Sequence, residues 1–383
     1  MSHQPPARDA ALAVLVALVA VRVVALVLVI ANANENPVTD VDVLRAERIA
    51  TSPATPYRNF PVEYMPLQTA AIGLLGGGGA GSTATKVALV AFAADLAAAG
   101  GLLWAFGRRV TAGYLLLGLP LLGFAYLRFD LVAVALAVWA LALLVREREA
   151  PSGVALGLAV MAKLWPLALA PIWVVRRQRR GLLVAAGVCV AIGGWWYLTG
   201  GPKGPFQVLS FRDARGWHTQ SPMGGLQWLL GIGGTAYREA DALRVGHAST
   251  LTKGLLFVGL LATEFLVWRG AGREAPAGAP LAATTALLVF SPLVSVQTAL
   301  WLVPWTALAS EGDREDRRAA TCAAAAIALT GLLAIAWPDP TAPPGWWMKA
   351  LVTARNAALV GSVAVWLWSR REAPRAAHAG APA

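Results

Sequence analysis

From Ala10 almost to its C-terminus the chain repeats one pattern: an apolar stretch of about 20 residues, long enough to cross a bilayer, then a short charged or polar break. The 383 residues are 57% hydrophobic and only 14% charged, with a mean hydropathy of +0.58, well outside the range of soluble domains. The pattern predicts an all-α polytopic membrane protein with a single transmembrane domain over residues 1–371 and a disordered Ala-, Pro- and Gly-rich tail over 372–383. Candidate spans cover 10–31, 64–79, 86–107, 112–127, 129–145, 152–175, 181–199, 250–269, 279–296, 298–310, 318–337 and 346–368. The expected bundle has roughly 11 to 13 helices. The first span is long, contains Arg22 and lacks a small-residue cleavage site, so it reads as a retained helix rather than a signal peptide.

A net charge of +11 raises the question of nucleic acid, but the basic residues sit in short breaks between spans. Arg176, Arg177, Arg179 and Arg180 form one cluster, Arg314, Arg317 and Arg318 a second, Arg370 and Arg371 a third. That distribution is the positive-inside signature, so the partner it implies is the lipid bilayer and not nucleic acid. Cytoplasmic placement of these clusters puts the loops 32–64 and 200–222 outside and predicts a multi-pass cell-membrane protein working on its extracytoplasmic side. The same count places Arg108, Arg109 and the segment 146–150 outside, against the rule; helices broken at Pro66, Pro120 or Pro166 reconcile it. Cys189 and Cys322 lie in apolar spans and read as packing residues.

The longest polar interval, Asn32 to Pro66, follows the first span and is where chemistry is expected. Asp40 and Asp42 stand at the start of a short amphipathic helix, Asp42 to Ala50. At i and i+2 they point in different directions, so one faces a cavity while the other caps or solvates the helix; Asp40 fits the N-cap as well as it fits a general base. The segment PYRNFPVEYMP, Pro56 to Pro66, adds Tyr57, Phe60 and Tyr64, aromatic faces of the kind on which sugars stack, together with Arg58 and Glu63. An interfacial aromatic anchor with a surface ion pair uses the same residues. Arg22, Asp95, Arg128, Asp130, Lys163 and Glu264 lie in or beside apolar spans, where a central charge costs about 3 kcal/mol even on the lenient insertion scale. Arg128 and Lys163 either face a functional cavity or, respectively, pair with Asp130 and snorkel. In the loop 200–222, Arg212, Arg215 and His218 form an anion-binding patch or a solvated loop. No Cys/His cluster predicts a metal, and no cofactor is expected; Gly76 to Gly81 lacks the GK[ST] ending of a P-loop and reads as a flexible turn.

The order of these blocks resembles the GT-C superfamily of integral-membrane glycosyltransferases, and more narrowly glycosyltransferase family 87, the polyprenyl-phosphate-mannose-dependent α-(1→2)-mannosyltransferases. The resemblance rests on Asp near the start of the first loop, PYRNF and VEYMP closing it, RFDL at Arg128 to Leu131, and AKLWPLALAP at Ala162 to Pro171. It continues through RGWHTQS at Arg215 to Ser221 and FSPLVSVQTALWLVP at Phe290 to Pro304. Asn59, Met65 and Leu44 depart from the family's usual residues.

The resemblance implies inverting transfer of a hexose, mannose foremost, from a polyprenyl-phosphate donor to a glycolipid or glycan acceptor. Asp40 is then the general base, with Asp42, Glu63 and His218 in support. Arg128, Lys163 and Arg215 hold the donor phosphate, and Tyr57, Arg58, Tyr64 and Gln297 contact sugar or acceptor. A transporter or flippase of a lipid-linked sugar is the alternative; it predicts internal repeats, and none is evident.

Overall fold

A computed structural model of the chain describes residues 6–36, 40–59, 62, 64–209, 215–239, 242–271, 277–337 and 345–379. Its contacts fall into two compact units, residues 1–167 with 179–212 and residues 168–178 with 213–383. Among the described residues six helices are long and apolar enough to cross a bilayer: Ala10–Glu35, Ala80–Phe106, Arg179–Gly200, Thr250–Ala271, Arg314–Ala336 and Trp346–Arg370. Shorter apolar helices of 10–17 residues fall in other candidate spans, among them Pro66–Leu75, Asp130–Val145, Glu149–Ala162 and Ala279–Phe290. A straight span needs about 20 residues, so these fall short of a full crossing.

Proline accounts for two of the breaks, because it lacks an N–H and its ring clashes with the preceding turn. Pro166 sits in the 3-10 turn Trp165–Leu169, between Glu149–Ala162 and Pro171–Val175; Pro120 sits in the turn Leu119–Leu121, after Arg108–Leu117. Pro66 instead opens a helix at its first position, where no N–H is required.

In the first unit, Pro6–Glu35 is tied to Ala80–Phe106 by Arg22 and Asp95, 2.9 Å apart and almost wholly buried. Tyr114 and Tyr126 donate their hydroxyls to the same carboxylate at 2.6 and 3.0 Å. Two of the charges found in apolar spans are therefore each other's partners, and the tyrosines add a hydrogen bond to each carboxylate oxygen. Glu149–Ala162 meets Arg179–Gly200 through glycine: a Cβ on Gly153 would stand 2.1 Å from the Gly181 carbonyl oxygen, and one on Gly157 2.7 Å from Val188 Cβ. The surface helix Val41–Thr51 is amphipathic as expected, burying Val43, Ala46 and Ile49 and exposing Leu44 and Arg48. Its apolar face joins a core with Tyr57, Tyr64, Ile72, Phe129, Met161 and Trp196.

The second unit contains a small antiparallel sheet that an all-α expectation omits. Ala242–Val245 is its central strand, flanked by Trp217–His218 and Tyr237–Glu239, with Trp217 opposite Val245 and His218 opposite Arg244. Trp217 and Val245 pack with Trp228, Trp337, Met348 and Val352. Arg355 and Asn356, on the helix Trp346–Ala379, donate to the carbonyls of Gln220 and Ser221 and so fix the turn after the first strand. That last helix runs from Trp346 to Ala379.

Candidate active site

Asp40 stands immediately before Val41–Thr51 and caps it. Its Oδ1 accepts from the backbone N–H of Asp42 at 2.9 Å and of Val43 at 3.2 Å, satisfying donors that a helix start leaves without intrahelical partners. Capping uses only one oxygen. Oδ2 meets Nη2 of Arg128 at 2.9 Å, and Nη1 of the same guanidinium donates to Asp42 Oδ2 at 2.5 Å. Asp42 Oδ1 accepts the hydroxyl of Tyr64 at 2.8 Å. Arg45, one turn along the helix, donates to the Tyr64 oxygen at 3.0 Å with its guanidinium 5.5 Å from that ring's centre.

Helix ends supply the remaining charges. Asp130 lies in the first turn of Asp130–Val145, and Lys163 caps the C-terminus of Glu149–Ala162; the two are 2.6 Å apart. Only three residues link these helices, which run antiparallel, so the start of one lies beside the end of the other. Arg128, two residues before Asp130, is delivered to the same place. The side chains of Asp40, Asp42, Arg128 and Lys163 are 12%, 11%, 15% and 19% exposed, which leaves each reachable but largely desolvated.

This environment separates two carboxylates that spacing leaves equal. Burial alone would raise Asp42, but the charge and hydrogen bond of Arg128, the charge of Lys163 and the Tyr64 hydroxyl outweigh it and bring its pKa down to about 2. Asp40 is also raised by burial; Arg128 pulls it back only in part, the negative charge of Asp42 adds to the rise, and its pKa stays above the ordinary value. Asp42 therefore holds its charge and accepts protons poorly, while Asp40 is the more basic of the two.

Other expected contacts fall elsewhere. Tyr57 is not an open platform for a sugar: it is 5% exposed, its hydroxyl donates to the Tyr64 carbonyl at 2.6 Å and meets Thr69 Oγ1 at 2.6 Å, and its ring packs edge-on to Trp196. Tyr64 is likewise buried and serves the carboxylate network through its hydroxyl. Arg58 is exposed and donates to the Leu198 carbonyl at 3.1 Å. Glu63, Phe60 and Arg212 lie outside the described residues.

Arg215, His218 and Gln297 belong to the second unit. Arg215 is exposed, and its backbone N–H donates to Glu239 Oε2 at 2.9 Å. Gln297 is half-buried in the 3-10 helix Val296–Trp301. His218 is buried, with Nδ1 accepting from the Gln220 N–H at 3.2 Å. Burial, then the charges of Arg244 and Arg355, lower its pKa to about 3, so it is neutral at physiological pH and does not act as a cation. Sequence reasoning missed Arg45, whose i+3 relation to Asp42 was a usable signal, and Arg244, which nothing in its strand marks out.

The family model for glycosyltransferase family 87 matches residues 60–296, more than half of the chain. The chain belongs to glycosyltransferase family 87. Membership makes it a glycosyltransferase and sets the transporter alternative aside. Arg128, Lys163, Arg215 and His218 fall inside the matched region, whereas Asp40 and Asp42 precede it. Comparison with curated proteins found no match. Among solved structures, ArnT from Cupriavidus metallidurans bound to undecaprenyl phosphate is similar at 16% identity and a TM-score of 0.45, with 94% of this chain and 78% of that one covered. The apo state of the same protein is similar at 17% identity and a TM-score of 0.47, with the same coverage.

Proposed function

We propose that this glycosyltransferase moves a hexose, mannose foremost, from a polyprenyl-phosphate donor to a hydroxyl of a glycolipid or glycan at the extracytoplasmic face, with inversion and with Asp40 as general base. The observation that carries this reading is the sharing of Arg128 between Asp40 and Asp42. Oδ1 of Asp40 is filled by two backbone donors and Oδ2 by one guanidinium nitrogen, so Oδ2 keeps a lone pair for an incoming proton. In the step itself the acceptor oxygen attacks the anomeric carbon, its proton passes to Asp40, and the bond to the lipid phosphate breaks with both electrons leaving on the phosphate. Arg128 and Lys163 are the cations placed to offset that charge. Both are held by carboxylates, so a donor phosphate competes with Asp40, Asp42 and Asp130 for them.

The experiment uses membranes carrying the full chain and radiolabelled polyprenyl-phosphate-mannose, with the arabinose and glucose donors in parallel. Label appears in the acceptor fraction with wild type and is lost with Asp40→Asn. Undiminished transfer by Asp40→Asn removes the base assignment; transfer from another sugar donor alone removes mannose.

A further inference from the structure

The glycine run that reads as a flexible turn has a defined occupant. Glu47, on the same helix that Asp40 caps, places its carboxylate against it: Oε2 accepts the Gly77 N–H at 2.9 Å, Oε1 the Gly79 N–H at 3.0 Å, and the Thr83 hydroxyl donates to Oε2 as well. Gly77, Gly78 and Gly79 have φ of 83°, 118° and 91°, a left-handed path that side chains resist and along which the N–H groups of Gly77 and Gly79 reach one carboxylate. Lys86 donates to the Gly77 carbonyl at 3.1 Å and adds positive charge beside the carboxylate. A second contact is independent of the hydrogen bonds. A Cβ on Gly76 would lie 2.3 Å from Ala50 Cβ and 2.9 Å from the Ala46 carbonyl oxygen, so the helix rests directly on this glycine's backbone.

The helix Val41–Thr51 is thus fixed at both ends, by Arg128 on Asp40 and Asp42 and by the glycine loop on Glu47. The Arg128 anchor is the reactive one. A donor phosphate drawing on Arg128 loosens it, and the other anchor must then keep the base in place. We infer that Glu47 is a positioning residue for sugar transfer, and that the Gly76–Gly79 loop with Thr83 is its receptor, holding Asp40 at the depth where it acts as a base. This rests on the assignment of Asp40 above.

The test uses the full chain in membranes or nanodiscs, with Glu47→Ala, Glu47→Gln and Gly76→Val, and two readouts. Amide hydrogen exchange over Gly77–Thr83 needs no activity: it rises at least tenfold in Glu47→Ala and Gly76→Val and less in Glu47→Gln, which keeps one acceptor. The pH–rate profile reports position. Burial is the main reason Asp40 sits high, so releasing the helix into water moves the acid limb to lower pH, while kcat drops at least tenfold and the donor KM changes less. Partial recovery in Glu47→Gln is expected in both. Unchanged exchange in Glu47→Ala overturns the docking, whatever the chemistry. Raised exchange with a lower rate but an unmoved acid limb overturns the positioning role, since a loss of folded protein scales the profile without shifting it. Absence of transfer by wild type from every donor overturns the reading on which the role rests and leaves the exchange result to decide the docking alone.

Discussion

Nη2 of Arg128 lies 2.9 Å from Oδ2 of Asp40, across 88 residues of chain, and joins a helix cap to a cation that Asp42 shares. Capping and catalysis usually compete as explanations of an aspartate at a helix start. Here the cap takes one oxygen of the carboxylate and leaves the other to Arg128 and, in the proposed function, to the acceptor's proton.

Asp40→Asn tests that division of labour. Asparagine caps helices as well as aspartate does, so the variant keeps its fold and its thermal midpoint stays close to wild type. Loss of a general base lowers turnover by about 10²–10⁴-fold. A turnover within threefold of wild type, in protein of native stability, rules Asp40 out as the base.

Asp42→Asn separates the partners by pH. As the proposed base Asp40 would act only when ionised, and its raised pKa puts the expected acid limb of the profile above its ordinary 3.8. Removing the neighbouring negative charge takes away one cause of the rise, so the limb shifts to lower pH in Asp42→Asn. Stability follows the opposite partner. Asp42 is depressed to about 2, so the stability it contributes is present above 3.8 and is lost as pH falls through about 2. Acid titrations of wild type and variant, read by intrinsic fluorescence and by rate, give both limbs.

Arg22 and Asp95 predict a structural phenotype. Removing either partner leaves an uncompensated buried charge, a loss of about 3–5 kcal/mol, visible as a lower thermal midpoint in detergent. The double variant Arg22→Met with Asp95→Leu loses less than either single change, and the donor KM of whatever protein folds stays at the wild-type value. A double variant as damaged as the sum of the singles contradicts pairing.

Gly157→Leu tests close helix packing in the first unit. The site of its Cβ is filled by Val188 and the Ala185 carbonyl, and overpacking of this kind costs about 1–3 kcal/mol. A lower thermal midpoint is expected, while Gly187→Leu, with nothing within 4 Å of its Cβ position, serves as the matched control with an unchanged midpoint.

Much of this was legible in the residues. Hydropathy marked the long helices, proline marked the interruptions at Pro120 and Pro166, and the cost of charge in lipid singled out six charges, of which Arg22, Asp95, Arg128, Asp130 and Lys163 are ion-paired and Glu264 accepts the Trp268 indole N–H. Periodicity also found the amphipathic helix within a residue of its bounds. What could not be read was who pairs with whom. Asp42 is set apart from Asp40 by Arg128, Tyr64 and Lys163, which come from 22 to 121 positions beyond Asp42 and meet through folding. The packing of Tyr57 was hidden for a related reason: an aromatic residue near a membrane boundary looks the same in sequence whether its ring is open or, as here, packed against Trp196. The sheet strands are two to four residues long, too short for any periodicity to register.

The ion pair between Asp130 and Lys163 has a polarity. Asp130 lies where backbone N–H groups give a helix its positive end, and Lys163 where carbonyls give the neighbouring helix its negative end, so each charge is favoured by the backbone that carries it as well as by its partner. The two positions are therefore not interchangeable. Exchanging the residues preserves the attraction between them but sets both against their own helices.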